Sequence, residues 1–339
     1  MIQLVKNFSL TDFNTFGIHA QAKAFVSVRS IEELKEALKL NFEKRFILGG
    51  GSNILLTKDI EGLVIHNAIK GIEVVKEDKN AYEVFVSVGA GENWHHLVVY
   101  CLENGWGGIE NLALIPGNVG TAPIQNIGAY GVELKDVFHT CTAINRKTLE
   151  TKTFTLEDCQ FGYRESVFKN EVKGQYVITS VTLKFTTANH KLHTQYGAIS
   201  DTLLEEEITM PSIQEVAAAV IKIRQSKLPD PKKIGNSGSF FKNPMISQNE
   251  FKQLRERFEA IPFYPVGNGM VKVPAGWLIE QAGFKGKRFG EAGVHDKQAL
   301  VLINHGSATG KAIWDLAQRI LATVKETFDI VLQTEVNII

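Results

Sequence analysis

The chain has 339 residues, 44% of them hydrophobic and 22% charged, and its 37 Lys and Arg balance its 37 Asp and Glu. That length supports two or three domains with cores of their own, and the even balance excludes a general basic field that would attract nucleic acid or an anionic membrane. No apolar run reaches the roughly 18 residues of a membrane span, and the first residues lack the charged start and apolar stretch of a secretory signal. Three widely spaced cysteines, Cys101, Cys141 and Cys159, suit neither a disulfide framework nor a zinc site, so a reducing cytoplasm is expected.

In chain order, Ala24 to Val28 is a short apolar strand. Ser30 and Glu33 form a capping-box pair ahead of Ile31, Leu34, Ala37 and Leu38, which share one helical face. Arg45 to Leu48 predicts a second strand that runs straight into Gly49-Gly50-Gly51. From Gly71 to Phe185 short alternating stretches dominate, such as Tyr82 to Val88 and Val177 to Phe185. One amphipathic helix interrupts them, carrying Trp94, Leu97, Val98, Cys101 and Leu102 and stopping at Gly105. A third region begins near Pro211, where Ser212 and Glu215 repeat the capping-box spacing and the helix must end before Pro229. A further helix is expected from about Ala308 to Phe328, and Val331 to Ile339 reads as a terminal strand. No internal repeat is visible. The class is α+β, in four parts: 1–70, 71–210, 211–330 and 331–339.

Two glycine-rich segments point to a large anionic ligand. Gly49, Gly50, Gly51, Ser52 and Asn53 follow a strand, and glycines there let backbone N–H groups approach an anion without Cβ obstruction. A tight turn with a polar tip accounts for that motif equally well. Ile115 to Gly131 (IPGNVGTAPIQNIGAYG) tips the balance, because a solvated loop of that length normally carries charge. Uncharged backbone with the amides of Gln125 and Asn126 suits a ligand that is partly polar and partly aromatic. It is not the G-x-G-x-x-G dinucleotide fingerprint. Gly235 to Pro244 (GNSGSFFKNP) lacks nucleophile-elbow spacing, and in isolation a structural turn is its ordinary reading. Arg164 beside Glu165 reads as a surface ion pair, and Glu335 as a residue facing water. Neither His95-His96 nor His295 has partners at ligand spacing, so no metal site is read.

Taken together, these segments resemble the UDP-N-acetylenolpyruvoylglucosamine reductase family, in the family's order along nearly the whole chain. Asn14-Thr15-Phe16-Gly17 resembles its opening strand, GGGSN and IPGNVGTAPIQNIGAYGVE its two flavin loops, and GYRESVFK the segment with its catalytic arginine. KLPDP, GNSGSFFKNP, AGWLIEQAG and AGVHDKQALVLIN resemble its substrate domain. The resemblance implies a vanillyl-alcohol-oxidase (PCMH-type) FAD-binding fold of two subdomains, with an α+β substrate-binding domain. FAD is held non-covalently and NADPH is the co-substrate. The implied reaction adds hydride from the reduced flavin to C3 of the enolpyruvyl ether of UDP-N-acetylglucosamine and a proton from the protein to C2, giving UDP-N-acetylmuramate.

Residue by residue, the resemblance implies the following roles. Arg164 stabilises charge building on the substrate carboxylate. Glu335 is its acidic companion, and Ser239 protonates C2. Tyr196, in its Gln-Tyr-Gly context, covers the substrate and places the chain in the family's tyrosine-bearing class. Lys227, Asn243 and Gln298 contact the UDP-sugar. Pro116, Gly117, Gly120, Ala122, Gln125, Asn126, Gly128, Ala129 and Tyr130 join Gly49–Asn53 around the flavin. Asn118, Thr121 and Ser237 stand where small residues are expected, mild departures that remove no functional group. A monomer is expected, and the preference for NADPH over NADH comes only from the resemblance. Two rivals are an oxidase of the same fold, which leaves GSFFKNP unexplained, and a flavin-free UDP-sugar-binding protein, which would be colourless.

Overall fold

The computed structural model describes residues 2–339. The chain folds as two compact units that share it unequally: one takes residues up to Phe8, Ala22–Gly50 and Ile60–Ser226, and the other takes Ser9–Gln21, Gly51–Asp59 and Lys227–Ile339. The chain passes from the first to the second inside the Gly49–Asn53 motif.

The first unit holds two sheets. In the four-stranded one, Ile60–Asn67 lies between Gln21–Val28 and Arg45–Leu48, parallel to both. Parallel strands need a crossover, and the helix Ile31–Lys39 supplies it. Leu34 and Leu38 from that helix are buried with Val26, Val28, Leu63 and Ile65, each leucine contributing about 1.5–3 kcal/mol by leaving water. The predicted capping box is half formed. Ser30 accepts from the Glu33 N–H, but the Glu33 carboxylate takes the Arg29 N–H at 2.6 Å. The second sheet is antiparallel and five-stranded, with Tyr176–Thr186 at its centre between Phe138–Asn145 and Glu83–Gly89. Against it lies the helix Trp94–Glu103, whose Trp94, Leu97, Val98 and Cys101 are buried with Val86, Val88, Val181 and Leu183. Ser212 and Glu215 do form both halves of their box, at the head of the helix Ile213–Lys227.

In the second unit the strand Val301–Asn304, buried throughout, lies between Gly235–Ser239 and Ala292–Val294. A small sheet of Met245–Ser247, Met270–Lys272 and Tyr264–Gly267 accompanies it. The helix Gly310–Phe328 starts after Thr309, whose hydroxyl accepts the Ala312 N–H, and it buries Ile313, Leu316, Ala317, Ile320 and Val324.

Two expectations are corrected. The terminal strand is only Asn337–Ile338, parallel to Ile54–Leu55. The residues before it change partner: Lys242 donates its N–H to Gln333, Glu335 donates to Phe240, and Asn337 donates to Asn53, so no single ladder forms. The segment read in isolation as a turn begins as a strand, Gly235–Ser239, held by backbone pairing rather than by alternating apolar side chains.

Candidate functional site

In the first unit the two glycine segments meet as main chain. A Cβ on Gly50 would come within 2.7 Å of Asn118 Oδ1 and 3.0 Å of Gly117 Cα, and one on Gly49 within 2.6 Å of Thr121 Cγ2. The second segment is itself pinned to residues 90–94. Trp94 donates its N–H to the Gly117 carbonyl at 2.9 Å, Val119 donates to Glu92 at 2.8 Å, and Gly120 donates to Ala90 at 2.9 Å. Gly120 has no room for a side chain, since its Cβ would lie 2.3 Å from that of Ala90. The remainder of the first motif belongs to the second unit, where Thr15 donates its N–H to the Gly51 carbonyl and Asn53 Nδ2 donates to the Glu335 carbonyl.

Asn126 is fully buried in left-handed backbone, φ 42°. Its amide donates to Glu133 and to the Gly162 carbonyl, both at 3.0 Å, and its Oδ1 accepts from the Lys135 N–H. That bond to Gly162 brings in the segment of Arg164. The guanidinium donates to the carbonyls of Gly128 at 2.5 Å and Asn126 at 3.4 Å. Lys169 Nζ closes the loop on the Arg164 carbonyl at 3.0 Å. Arg164 is therefore oriented by the second glycine segment.

Tyr130, at the end of that segment, meets the ring of Tyr196 edge to face at 5.5 Å. Tyr196 is half exposed and stands at the N-cap of the helix Gly197–Glu205, which the sequence pattern did not indicate. Asn111, fully buried, joins the same two places by donating to the Tyr130 carbonyl at 3.0 Å and the His193 carbonyl at 2.8 Å.

Arg224 is a residue that sequence reasoning missed. It donates to the Leu114 carbonyl at 3.3 Å and lies beside the Tyr130 phenol, while its Nε is buried with no hydrogen-bond partner among the described residues. Burial pushes its pKa down and Tyr130 pulls it back up; burial also raises the Tyr130 phenol. A signal was available: Arg224 follows Val220 by four positions on the apolar face of its helix, where a cation requires a partner.

In the second unit, Ser239 ends its strand after a bulge, and its neighbour Phe240 donates to the Leu300 carbonyl and accepts the Glu335 N–H at 2.8 Å. Ser239 and Glu335 are thus brought together on adjacent backbones, while Arg164 belongs to the first unit. Asn243 Oδ1 accepts the Ala275 N–H at 2.9 Å, at the start of the helix Ala275–Gln281. Gln298 shapes a turn, its carbonyl accepting the Val301 N–H at 3.0 Å, with its side-chain Oε1 near Gly276. Lys227 is exposed at the end of its helix.

Comparison with known proteins adds two family models. One, described as the C-terminal domain of UDP-N-acetylenolpyruvoylglucosamine reductase, matches residues 230–339, and one described as an FAD-binding domain matches residues 22–148. The chain is 58% identical to the UDP-N-acetylenolpyruvoylglucosamine reductase of Flavobacterium johnsoniae and 50% identical to that of Amoebophilus asiaticus, in each case over the whole of both chains. Among solved structures it resembles the enzyme of that name from Thermus caldophilus, with a TM-score of 0.67 at 24% identity, covering 100% of this chain and 98% of that one.

Proposed function

This chain belongs to the UDP-N-acetylenolpyruvoylglucosamine reductase family, and on that premise we propose that Arg164, Ser239 and Glu335 carry its chemistry, with Tyr196, Lys227, Asn243 and Gln298 on the substrate. It is an oxidoreductase that reduces the enolpyruvyl ether of UDP-N-acetylglucosamine to UDP-N-acetylmuramate, for peptidoglycan precursor synthesis, with FAD as cofactor and NADPH as co-substrate. The observation that carries this reading is the 58% identity to a reductase of that name over the full length of both chains.

FAD demands close main chain around its polar parts and a cation for its anionic ones. The residues fit. Gly49, Gly50 and Gly120 leave no space for a Cβ, and the unpartnered Nε of Arg224 offers a buried donor beside Tyr130. Gly49–Asn53, Pro116, Gly117, Gly120, Ala122, Gln125, Asn126, Gly128, Ala129 and Tyr130 would hold the cofactor. When bound, FAD supplies the hydride that NADPH gives it to the enolpyruvyl double bond.

The protein's own groups then have distinct tasks. Arg164, oriented by the carbonyls of Asn126 and Gly128, neutralises charge that builds on the substrate carboxylate as the double bond is attacked. A fixed donor acts most strongly where charge is developing, because it needs no reorganisation. Ser239 delivers the proton to C2. A hydroxyl is a weak acid, so it works only against a strongly basic carbon at close range. Glu335 is assigned as the acidic companion of Arg164, and Lys227 as a mobile point charge for the diphosphate. Residues 1–70 and 71–210 are assigned as two FAD-binding subdomains, 211–330 as the substrate domain and 331–339 as a segment returning to the active site. Among the described residues no helix is long and apolar enough to cross a membrane. A cytoplasmic monomer completes the proposal, and sedimentation of the holoenzyme as a larger species would overturn the monomer.

The test separates the two half-reactions. Anaerobic mixing with NADPH should bleach the flavin of Ser239→Ala as fast as that of the native enzyme. Subsequent mixing with the UDP-sugar should then restore colour about 10²–10⁴ times more slowly than in the native enzyme. Reoxidation at the native rate in Ser239→Ala would remove Ser239 from its role.

A further inference from the structure

The second glycine segment is launched from a strained turn. Ala113 has φ −58° and ψ 147°, Leu114 follows at φ 57°, and the Ile115 N–H reaches back to the Leu112 carbonyl at 3.4 Å. This is the geometry of a type II turn, whose third position favours glycine because a Cβ crowds the backbone there. Here the position is a leucine.

Both sides of that residue's backbone are gripped. The Leu114 N–H donates to His95 Nδ1 at 3.1 Å, and the Leu114 carbonyl accepts from Arg224 at 3.3 Å. His95 is the second residue of the helix Trp94–Glu103, and the indole of Trp94 before it donates to the Leu112 carbonyl at 3.0 Å. Two consecutive helix residues therefore hold the first and third residues of the turn. Trp94 is part of the core; His95 is half-buried and can change its charge.

We propose that His95 is a positioning residue for FAD: by accepting the Leu114 N–H opposite Arg224, it holds residues 115–131 in the form that takes the cofactor. The inference rests on the reading of 115–131 as a flavin segment. His95 acts through Leu114 and need not touch FAD.

The grip requires a particular protonation state. A neutral imidazole that accepts at Nδ1 carries its proton on Nε2. Protonation would turn Nδ1 into a donor facing another donor and would add a cation near Arg224 on the helix Ile213–Lys227 and His96 on its own helix. Burial first, then His96 and Arg224, hold the His95 pKa below its ordinary 6.5. The neutral, gripping form therefore prevails above that value, and the grip is lost as pH falls through the lowered pKa. Leu114 is then held on one side only, and FAD affinity should fall on the acid side.

The experiment measures FAD dissociation from the reconstituted holoenzyme by flavin fluorescence, in steps from about pH 7.5 to about pH 5, across the window where histidine charges. Native protein should bind with constant affinity at the upper end and lose about tenfold on acidification. His95→Gln, which keeps an acceptor that cannot be charged, should show no such loss. His95→Leu should bind about five- to tenfold more weakly even at the upper end, and adding Leu114→Gly, which removes the strain, should restore most of that. A His95→Leu variant as tight as native, or a His95→Gln variant with the native acid loss, overturns the proposal. Should His95→Leu fail to fold, the pH profile of His95→Gln decides. A native protein that binds no FAD at any pH would overturn the flavin reading itself, a separate outcome.

Discussion

Single glycines in the two units answer to opposite demands, one set by contact and one by backbone conformation. In the first unit Gly49, Gly50 and Gly120 are glycines because another part of the chain occupies the place of a Cβ, as near as 2.3 Å at Gly120. In the second unit Gly238 has nothing within 4 Å of where its Cβ would be, but its φ is 70°. There glycine serves the bulge that turns the strand into Ser239. Contact decides the first three positions, and a dihedral angle decides Gly238. Gly120 should tolerate no added atom, and Gly238 should tolerate one at the cost of local strain.

The largest test of that contrast concerns the group the first region orients. Arg164→Met removes the charge while leaving both glycine segments intact. Reoxidation by the UDP-sugar should slow by about 10²–10³, with NADPH bleaching unchanged, as followed by anaerobic flavin absorbance. Slowing of only a few fold would mean that the anchored guanidinium is structural. Next in size, Gly120→Ala should cost about 1–3 kcal/mol in urea unfolding and weaken FAD binding with it, because the methyl meets the Cα and carbonyl of Ala90 as well as its Cβ. The smallest effect is expected at Gly238→Ala, about 1 kcal/mol from the left-handed backbone alone, with FAD affinity unchanged. If Gly238→Ala weakens FAD binding as much as Gly120→Ala does, the distinction between contact and conformation fails.

The sequence made the capped helices legible. Ser30 and Ser212 each stand before an apolar stripe, and the helices Ile31–Lys39 and Ile213–Lys227 begin directly after these caps, while the apolar stripe alone announced the helix Gly310–Phe328. The helix Gly197–Glu205 escaped notice because Tyr196 provides no side-chain cap. Gly235–Ser239 looked like a turn because its order comes from main-chain pairing with Val301–Asn304, which small polar residues do not announce. At the site, motif composition located the two glycine segments, and the family resemblance selected Arg164, Ser239 and Glu335. The mutual packing of Gly50 with Gly117 and Asn118 was not legible, since it depends on where two distant loops come to rest. His95 illustrates the limit well. Its partner Leu114 lies 19 residues ahead, and only the folded turn aims that N–H at it.

The pairing of Asn337–Ile338 with Ile54–Leu55 bears on the order in which the protein is made. Asn53 donates to the Glu335 carbonyl across 282 positions, and the Thr57 hydroxyl donates to the Ile339 carbonyl across the same span. During synthesis the half of the first glycine motif that belongs to the second unit emerges and waits, its short strand unpaired, until the residues 282 positions further on have been translated. Contacts of such separation form slowly, and an unpaired edge is exposed to other chains meanwhile. A ribosome that stalls within the helix Gly310–Phe328 leaves Asn53 without its partners Glu335 and Asn337, so the first glycine motif is completed by residues encoded far downstream of it.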